Sequence, residues 1–112
     1  MPVTSRTIAT LGPVGLYACV RRLTRNQPRI LMYHRFSEFP KPGFVSKAQL
    51  RWQLGYIRRH FNPMTLEDLS RAVHERGNVP RNAIAVTIDD GYRDFYEVAW
   101  PVFREMGVPA TL

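Results

Sequence analysis

Segments with the apolar pattern of a β-strand alternate along the chain with segments that have the apolar spacing of an α-helix, which predicts strands and helices in turn. Residues Ala83–Ile88 are apolar or small at nearly every position, which is typical of a short strand that is covered on both faces in a parallel sheet. Helical spacing connects Leu50, Leu54, Ile57 and Phe61, and the charged residues around them fall outside this stripe. The alternation predicts an α/β fold built on a parallel sheet or an opened barrel.

Capping and turn residues set the predicted bounds. Ser46 with Gln49, and Thr65 with Asp68, have the spacing of helix N-terminal caps. The predicted order is strand, helix, short strand, helix, strand, helix, strand. In that order the elements are a strand over Arg29–Phe36, a loop over Ser37–Gly43, a helix from Ser46, a strand over Asn62–Met64, a helix from Thr65 to about Arg76 capped by Gly77, a strand from Ala83, a helix kinked or restarted at Pro101, and a strand from Ala110.

The positive charge of the chain is concentrated near its beginning. The net charge is +7 over 112 residues, and residues 1–30 contain five arginines and no acid, which leaves +2 for the remainder. We therefore divide the chain into a basic and apolar arm, residues 1–29, and a domain, residues 30–112. Because bases and aromatic residues do not interleave in a patch, we expect no nucleic-acid partner.

The arm has two interpretations. Residues 7–20 are mostly apolar, but only Arg6 precedes them and the stronger charge follows, the reverse of a cleaved signal peptide. Residues 7–25 could rest on an anionic membrane surface, or the arm could cover one end of the domain. Cys19 is the only cysteine, so no internal disulfide is possible. The compartment, cytoplasm or cell envelope, stays open.

Two adjacent carboxylates, Asp89 and Asp90, end the Ala83 strand before Gly91. By the alternation of a strand, Asp89 shares the face of Ala85 and Thr87, whereas Asp90 lies where the turn redirects the chain. Parallel sheets carry their chemistry at the carboxyl ends of strands. We expect the strand at Ile30–His34 to lie beside this one and to run parallel to it, which would bring His34 to the same rim.

The segment TIDDGYRDFYEVAWPVFREMGVPATL, Thr87–Leu112, together with ILMYHRF at Ile30–Phe36, resembles the polysaccharide deacetylase family, the NodB-homology domain of carbohydrate esterases. The resemblance implies the N-terminal part of a distorted (β/α)7 barrel, truncated here. It implies metal-dependent hydrolysis of N-acetyl groups on a polysaccharide or chitooligosaccharide, a carbon–nitrogen bond hydrolysis. The alternative is a non-catalytic glycan-binding or membrane-associated remnant.

The same resemblance implies roles for three residues. Asp89 would be the general base and Asp90 a ligand of a divalent metal, expected to be zinc. A branch of the family that deacetylates poly-N-acetylglucosamine has a YH motif before the DDG strand, and by that likeness His34 would be the acid that protonates the leaving amine. The family's H-[ST]-x-x-H-type motif is not in this sequence, so the ligand set is incomplete and we expect the chain to be inactive alone. His60 and His74 are expected to be solvated surface residues.

Overall fold

A computed structural model describes residues 15–75 and 78–112. Helical backbone over residues 15–23 forms α1. The later elements are β1 (Arg29–Tyr33), β2 (Phe36–Ser37), β3 (Val45–Ser46), α2 (Lys47–His60), β4 (Asn62–Met64), α3 (Leu66–His74), β5 (Ala83–Ile88), a π-helical segment (Phe95–Ala99) and α4 (Trp100–Met106). Within these described residues, no helix is long and apolar enough to cross a membrane.

Three strands form a parallel sheet in the order β1-β5-β4. The pairing of β1 with β5 places Leu31 opposite Val86 and Tyr33 opposite Ile88. Thr111 adds a parallel bridge to Thr87 on the other edge of β5. The predicted α/β class is confirmed, as is the parallel contact between β1 and β5. The closure into a seven-stranded barrel and its truncation stay predictions.

Helices cover the two faces of β5, as its apolar sequence predicted. Ile84, Val86 and Ile88 pack with residues of α2 and α4 in the main core. On the opposite face Ala83 and Ala85 pack against Leu69 of α3. Because β5 lies between β1 and β4 and is covered on both faces, its position is fixed by packing from every side. The same packing fixes where the two aspartates after the strand begin.

Capping residues begin the helices at the predicted places. The Ser46 side chain accepts a hydrogen bond from the Gln49 amide while the Gln49 side chain accepts one from the Ser46 amide, so the predicted capping box is present. Thr65 caps α3 by accepting from the Asp68 amide. The predicted end of α3 near Arg76 and its cap at Gly77 lie outside the described residues.

The helix after β5 restarts at Pro101, as predicted. A π-helical segment over Phe95–Ala99 precedes α4, and Pro101 falls in the first turn of α4. Proline lacks the N–H that an uninterrupted α-helix would use there, and the wider π-turn accommodates this loss. Gly107, with φ +65°, ends α4 in the left-handed conformation.

The prediction of one strand over Arg29–Phe36 was wrong, because β1 ends at Tyr33. The chain then leaves β5, and Phe36 and Ser37 pair in parallel with Val45 and Ser46. Phe36 is 2% exposed in the core, and its burial, together with the bond from the Val45 amide to the Arg35 carbonyl, explains this departure. The segment predicted as a loop over Ser37–Gly43 therefore joins two short strands.

Candidate active site

His34 and Asp89 come directly after two neighbouring strands at the same edge of the sheet. Tyr33 and Ile88 form the last pair of β1 and β5, and the Asp89 amide donates to the Tyr33 carbonyl at 2.9 Å. The parallel pairing therefore places the next residue of each strand side by side. His34 Nε2 lies 3.6 Å from Asp89 Oδ2. The predicted meeting of these residues is confirmed, and we call this edge the carboxyl rim.

Both side chains at the carboxyl rim are open to solvent. The side chain of His34 is 52% exposed and that of Asp89 is 42% exposed. Even with His34 protonated, a contact with this exposure contributes little to stability, on the order of 0–1 kcal/mol. Neither group is enclosed, so a molecule from solution can reach the imidazole and the carboxylate together.

Asp90 leaves the strand through an unusual turn. Its φ is +68°, and Gly91 comes next with φ +55°, so two consecutive residues take the left-handed conformation. Such a conformation is ordinary for glycine, but it costs an aspartate roughly 1 kcal/mol. The turn separates Asp90 from the alternation that places Asp89 beside His34. The structure thus gives the two adjacent carboxylates different surroundings, as the sequence predicted.

Arg35 is the rim residue that sequence reasoning missed. Its Nε donates to Asp94 Oδ2 at 2.7 Å, and its guanidinium lies 4.0 Å from the ring centre of Tyr92 and 4.7 Å from that of Phe44. Asp94 makes no side-chain cap, so its role is to bind Arg35. The only sequence signal was a positively charged residue directly after His34 and a negatively charged residue four positions after Asp90.

A metal site requires more ligands than the described residues bring together. Every His, Cys, Asp and Glu of the sequence lies within residues 15–75 and 78–112. In those ranges no group of three or more such side chains could hold a metal ion. A catalytic zinc normally takes three protein ligands, so the residues present do not suit a complete zinc site. The predicted role of Asp90 as a metal ligand stays a prediction.

The other two histidines are surface residues away from the carboxyl rim, as predicted. His60 is exposed at the end of α2, and slight desolvation together with the charges of Arg21 and Arg59 lowers its pKa. His74 is exposed in the last turn of α3, where its Nδ1 lies 2.7 Å from the Ser70 carbonyl oxygen. Neither histidine belongs to the candidate active site.

This chain thus contains a parallel sheet of an α/β fold, and one histidine and two aspartates follow its strands at the carboxyl rim. No family model matches the chain. It is 31% identical over 88 residues to YxkH of Bacillus subtilis, named as a candidate polysaccharide deacetylase, and the match covers 74% of this chain and 30% of that protein. It is 30% identical over 69 residues to the poly-beta-1,6-N-acetyl-D-glucosamine N-deacetylase of Escherichia coli K12, covering 60% of this chain and 10% of that protein.

Solved structures agree with these relatives. IcaB from Ammonifex degensii superposes with a TM-score of 0.66 at 27% identity, covering 74% of this chain and 36% of that one. The Streptococcus pyogenes deacetylase PplD, solved with acetate, has a TM-score of 0.64 at 24% identity, covering 73% and 39%, and shows a shared fold. The resemblance of this chain to polysaccharide deacetylases is therefore confirmed. It spans under a third of the curated relatives that it matches.

Proposed function

We propose that this chain takes part in the hydrolysis of N-acetyl groups on a polysaccharide or chitooligosaccharide, with Asp89 and His34 as the acid–base pair. The observation that carries the proposal is the 3.6 Å separation of His34 Nε2 and Asp89 Oδ2 at an open rim. The named activities of the relatives support the reaction class, since the Escherichia coli relative is named for deacetylating poly-N-acetylglucosamine. The N-acetylated glycan is accordingly the proposed partner.

The two side chains supply opposite halves of an amide hydrolysis. The Asp89 carboxylate accepts a proton from the water that attacks the acetyl carbonyl carbon. Protonated His34 donates its proton to the amide nitrogen as the carbon–nitrogen bond breaks, which releases acetate and leaves the amine on the sugar. Their proximity holds both groups against the same acetamide, and such positioning accounts for a large part of catalysis in general.

We propose that a divalent metal, expected to be zinc, is bound by Asp90. The Asp90 carboxylate would provide one ligand, and a bound zinc ion would lower the pKa of a coordinated water. Since the described residues lack a three-ligand set, we derive no step through the metal. The acid–base roles of His34 and Asp89 are those that the resemblance implies, and the 3.6 Å separation of the two side chains supports them.

A binding experiment on the whole chain tests the proposal. We expect N-acetylglucosamine oligomers to shift the imidazole NMR resonances of His34 and to leave those of His74 unchanged. The Asp89→Asn variant should bind the oligomer roughly 10- to 100-fold more weakly, because a hydrogen bond to a charged carboxylate is worth about 1.5–3 kcal/mol. Glu97→Gln is a matched control on the next helical segment.

Two results would contradict the proposed function. One is an oligomer that leaves His34 unshifted at saturating concentration. The other is a cellulose oligomer of equal length, which has no acetamide, shifting His34 as strongly as the acetylated oligomer does. Either result would show that the carboxyl rim does not recognise the acetamide group, and the proposed reaction requires that recognition.

A further inference from the structure

The apolar side of helix α1 faces outward. At 100° per residue, Leu16, Tyr17, Val20 and Leu23 fall within an arc of about 120° on one side of the helix. A surface helix normally turns such an arc toward the core, but here Tyr17 is 58% exposed, Val20 47% and Leu23 70%. We call these three exposed residues the α1 face.

The helix is held to the domain by its polar border. Arg21 donates to the hydroxyl of Tyr56 on α2, and its guanidinium lies 5.4 Å from the centre of that ring. Farther along, the Asn82 amide donates to the Arg25 carbonyl at 2.7 Å. One contact, from Arg21, thus holds the helix itself, and the other, at Arg25, holds the chain just after the helix. The α1 face therefore stays exposed while the helix is attached, with Tyr17 beside the aromatic side chains of α2.

Two aromatic side chains of α2 and the Arg21 side chain lie beside Tyr17 of the α1 face. Trp52, 65% exposed, stacks on Tyr56 with ring centres 5.8 Å apart, and both line an open pocket of about 400 Å³ together with Tyr17 and Arg21. Arg22, on the other side of α1, and Arg25, just after the helix, are exposed as well. Residues 1–30 include no acidic residue, so no carboxylate of this segment neutralises these arginines.

We propose that the α1 face, with Trp52, is a docking surface for an anionic lipid membrane. Exposed arginines attract the anionic headgroups, and tryptophan and tyrosine are enriched at the membrane–water interface. Val20 and Leu23 favour a lipid membrane over a nucleic acid or an acidic glycan as the partner. Transfer of exposed aliphatic side chains from water to the acyl-chain region of a membrane is favourable, whereas a nucleic acid or an acidic glycan offers them no apolar environment.

The chain after α1 is attached at the end of β5 that lies opposite to the candidate active site. The chain after α1 is bonded to Asn82, which precedes β5, whereas Asp89 comes after β5. Six strand residues at about 3.3 Å each separate the two ends by roughly 20 Å. The attachment of α1 at Asn82 is thus about one strand length from Asp89, and the proposal does not depend on the proposed function.

Vesicle flotation of the whole chain tests the proposal. We expect at least about tenfold stronger binding to phosphatidylcholine vesicles containing phosphatidylglycerol than to phosphatidylcholine alone. Val20→Ser with Leu23→Ser should reduce this binding about tenfold or more, given the transfer free energy of two aliphatic side chains. Arg22→Gln with Arg25→Gln should reduce it roughly 30-fold, from the typical contribution of each base near an anionic surface.

Matched controls separate this surface from general stickiness and charge. Phe39→Ser removes an apolar side chain that is 76% exposed on another loop, and Arg93→Gln with Arg104→Gln removes the same two charges elsewhere. Both controls should bind vesicles as the unmodified chain does. Circular dichroism of every variant verifies the fold.

Fluorescence supplies a measurement that needs no change in α1. In the Trp100→Phe variant Trp52 is the only tryptophan, and its emission should shift to the blue on anionic vesicles. An unshifted emission, absence of vesicle binding, or binding that Val20→Ser with Leu23→Ser leaves intact would each overturn the proposal. Equal affinity for duplex DNA, lost only in the arginine variants, would overturn it as well.

Discussion

Arg35 and Asp94, 59 positions apart in the sequence, join the two chain segments that leave the carboxyl rim. Arg35 directly follows His34, and Asp94 lies in the helical turn after Asp90 and Gly91. The side chain of Asp94 is only 16% exposed, and Arg35 lies over the rings of Tyr92 and Phe44. The pair therefore ties the position of His34 to that of the aspartates across the gap between β1 and β5.

Replacing Arg35 by alanine should lower the free energy of unfolding by about 1–2 kcal/mol. The variant leaves a largely buried carboxylate without its cation, but Arg35 is 39% exposed, so solvent screening reduces the cost. Urea unfolding measures the change. Arg93→Ala, which removes a side chain that is 85% exposed, is the control and should change stability by less than about 0.5 kcal/mol. Equal effects for the two variants would contradict the structural role of Arg35.

Ser46→Ala should cost about 1 kcal/mol or somewhat more. Ser46 is 1% exposed, and its hydroxyl accepts from the Gln49 amide, which the variant leaves without that partner at the start of α2. Thermal unfolding followed by circular dichroism measures this loss. Ser37→Ala, whose hydroxyl donates to the Phe39 carbonyl in an exposed turn, should have a smaller effect. A larger loss for Ser37 would mean that the α2 cap has been overestimated.

Local signals in the sequence predicted most of the elements that position the site. The buried strand β5 follows from Ile84, Val86 and Ile88, and the start of α2 from the spacing of Ser46 and Gln49, because both patterns lie within a few residues. The rim followed from two strands that end in polar residues. Parallel pairing in the structure then brought His34 and Asp89 together.

Long-range pairing explains the features that the sequence did not predict. Nothing near Arg35 indicates Asp94, since an ion pair between distant residues leaves no local period. The break of β1 after Tyr33 depends on the burial of Phe36 against Phe95 and on pairing with Val45, all of them tertiary contacts. The sequence left open whether the apolar residues of the arm cover one end of the domain or face outward, because an apolar pattern does not indicate which side the domain will cover.

Alkaline pH should destabilise the chain through Tyr33. Burial raises the pKa of Tyr33 to about 12 from an ordinary value of 10.0, so the unfolded chain releases this proton at lower pH than the folded chain. The contribution to stability is complete below pH 10 and is lost as the pH rises toward 12. Each unit of pKa difference corresponds to about 1.4 kcal/mol.

Urea unfolding at pH 8, 10 and 11.5 measures this loss. The Tyr33→Phe variant should start less stable, because it lacks the hydrogen bond from the Tyr33 hydroxyl to Gln53 Oε1, but its stability should fall less between pH 10 and 11.5. Tyr96→Phe is the matched control, since Tyr96 is 71% exposed and should leave the pH dependence unchanged. Identical pH profiles for all three proteins would exclude Tyr33 as the titrating group.

Zinc should bind this chain only weakly, and the chain alone should release no acetate from N-acetylglucosamine oligomers. The reason is the ligand count: among residues 15–75 and 78–112, no three histidine, cysteine or acidic side chains converge on one point. Carboxylates and a single imidazole at the carboxyl rim cannot replace the three protein ligands of a typical catalytic zinc. Were His34 to turn toward a metal at Asp90, the proposed acid would be consumed.

Titration calorimetry with zinc and an acetate-release assay with zinc present provide the measurements. Asp90→Asn should abolish whatever weak zinc binding occurs, and Glu105→Gln, which alters an exposed carboxylate paired with Arg51, should leave it unchanged. Asp89→Asn is the control for the release assay. Acetate release that disappears in Asp89→Asn would show that residues of this chain complete the site by themselves. Tight zinc binding that survives in Asp90→Asn would place the metal elsewhere and would remove Asp90 from the ligand set.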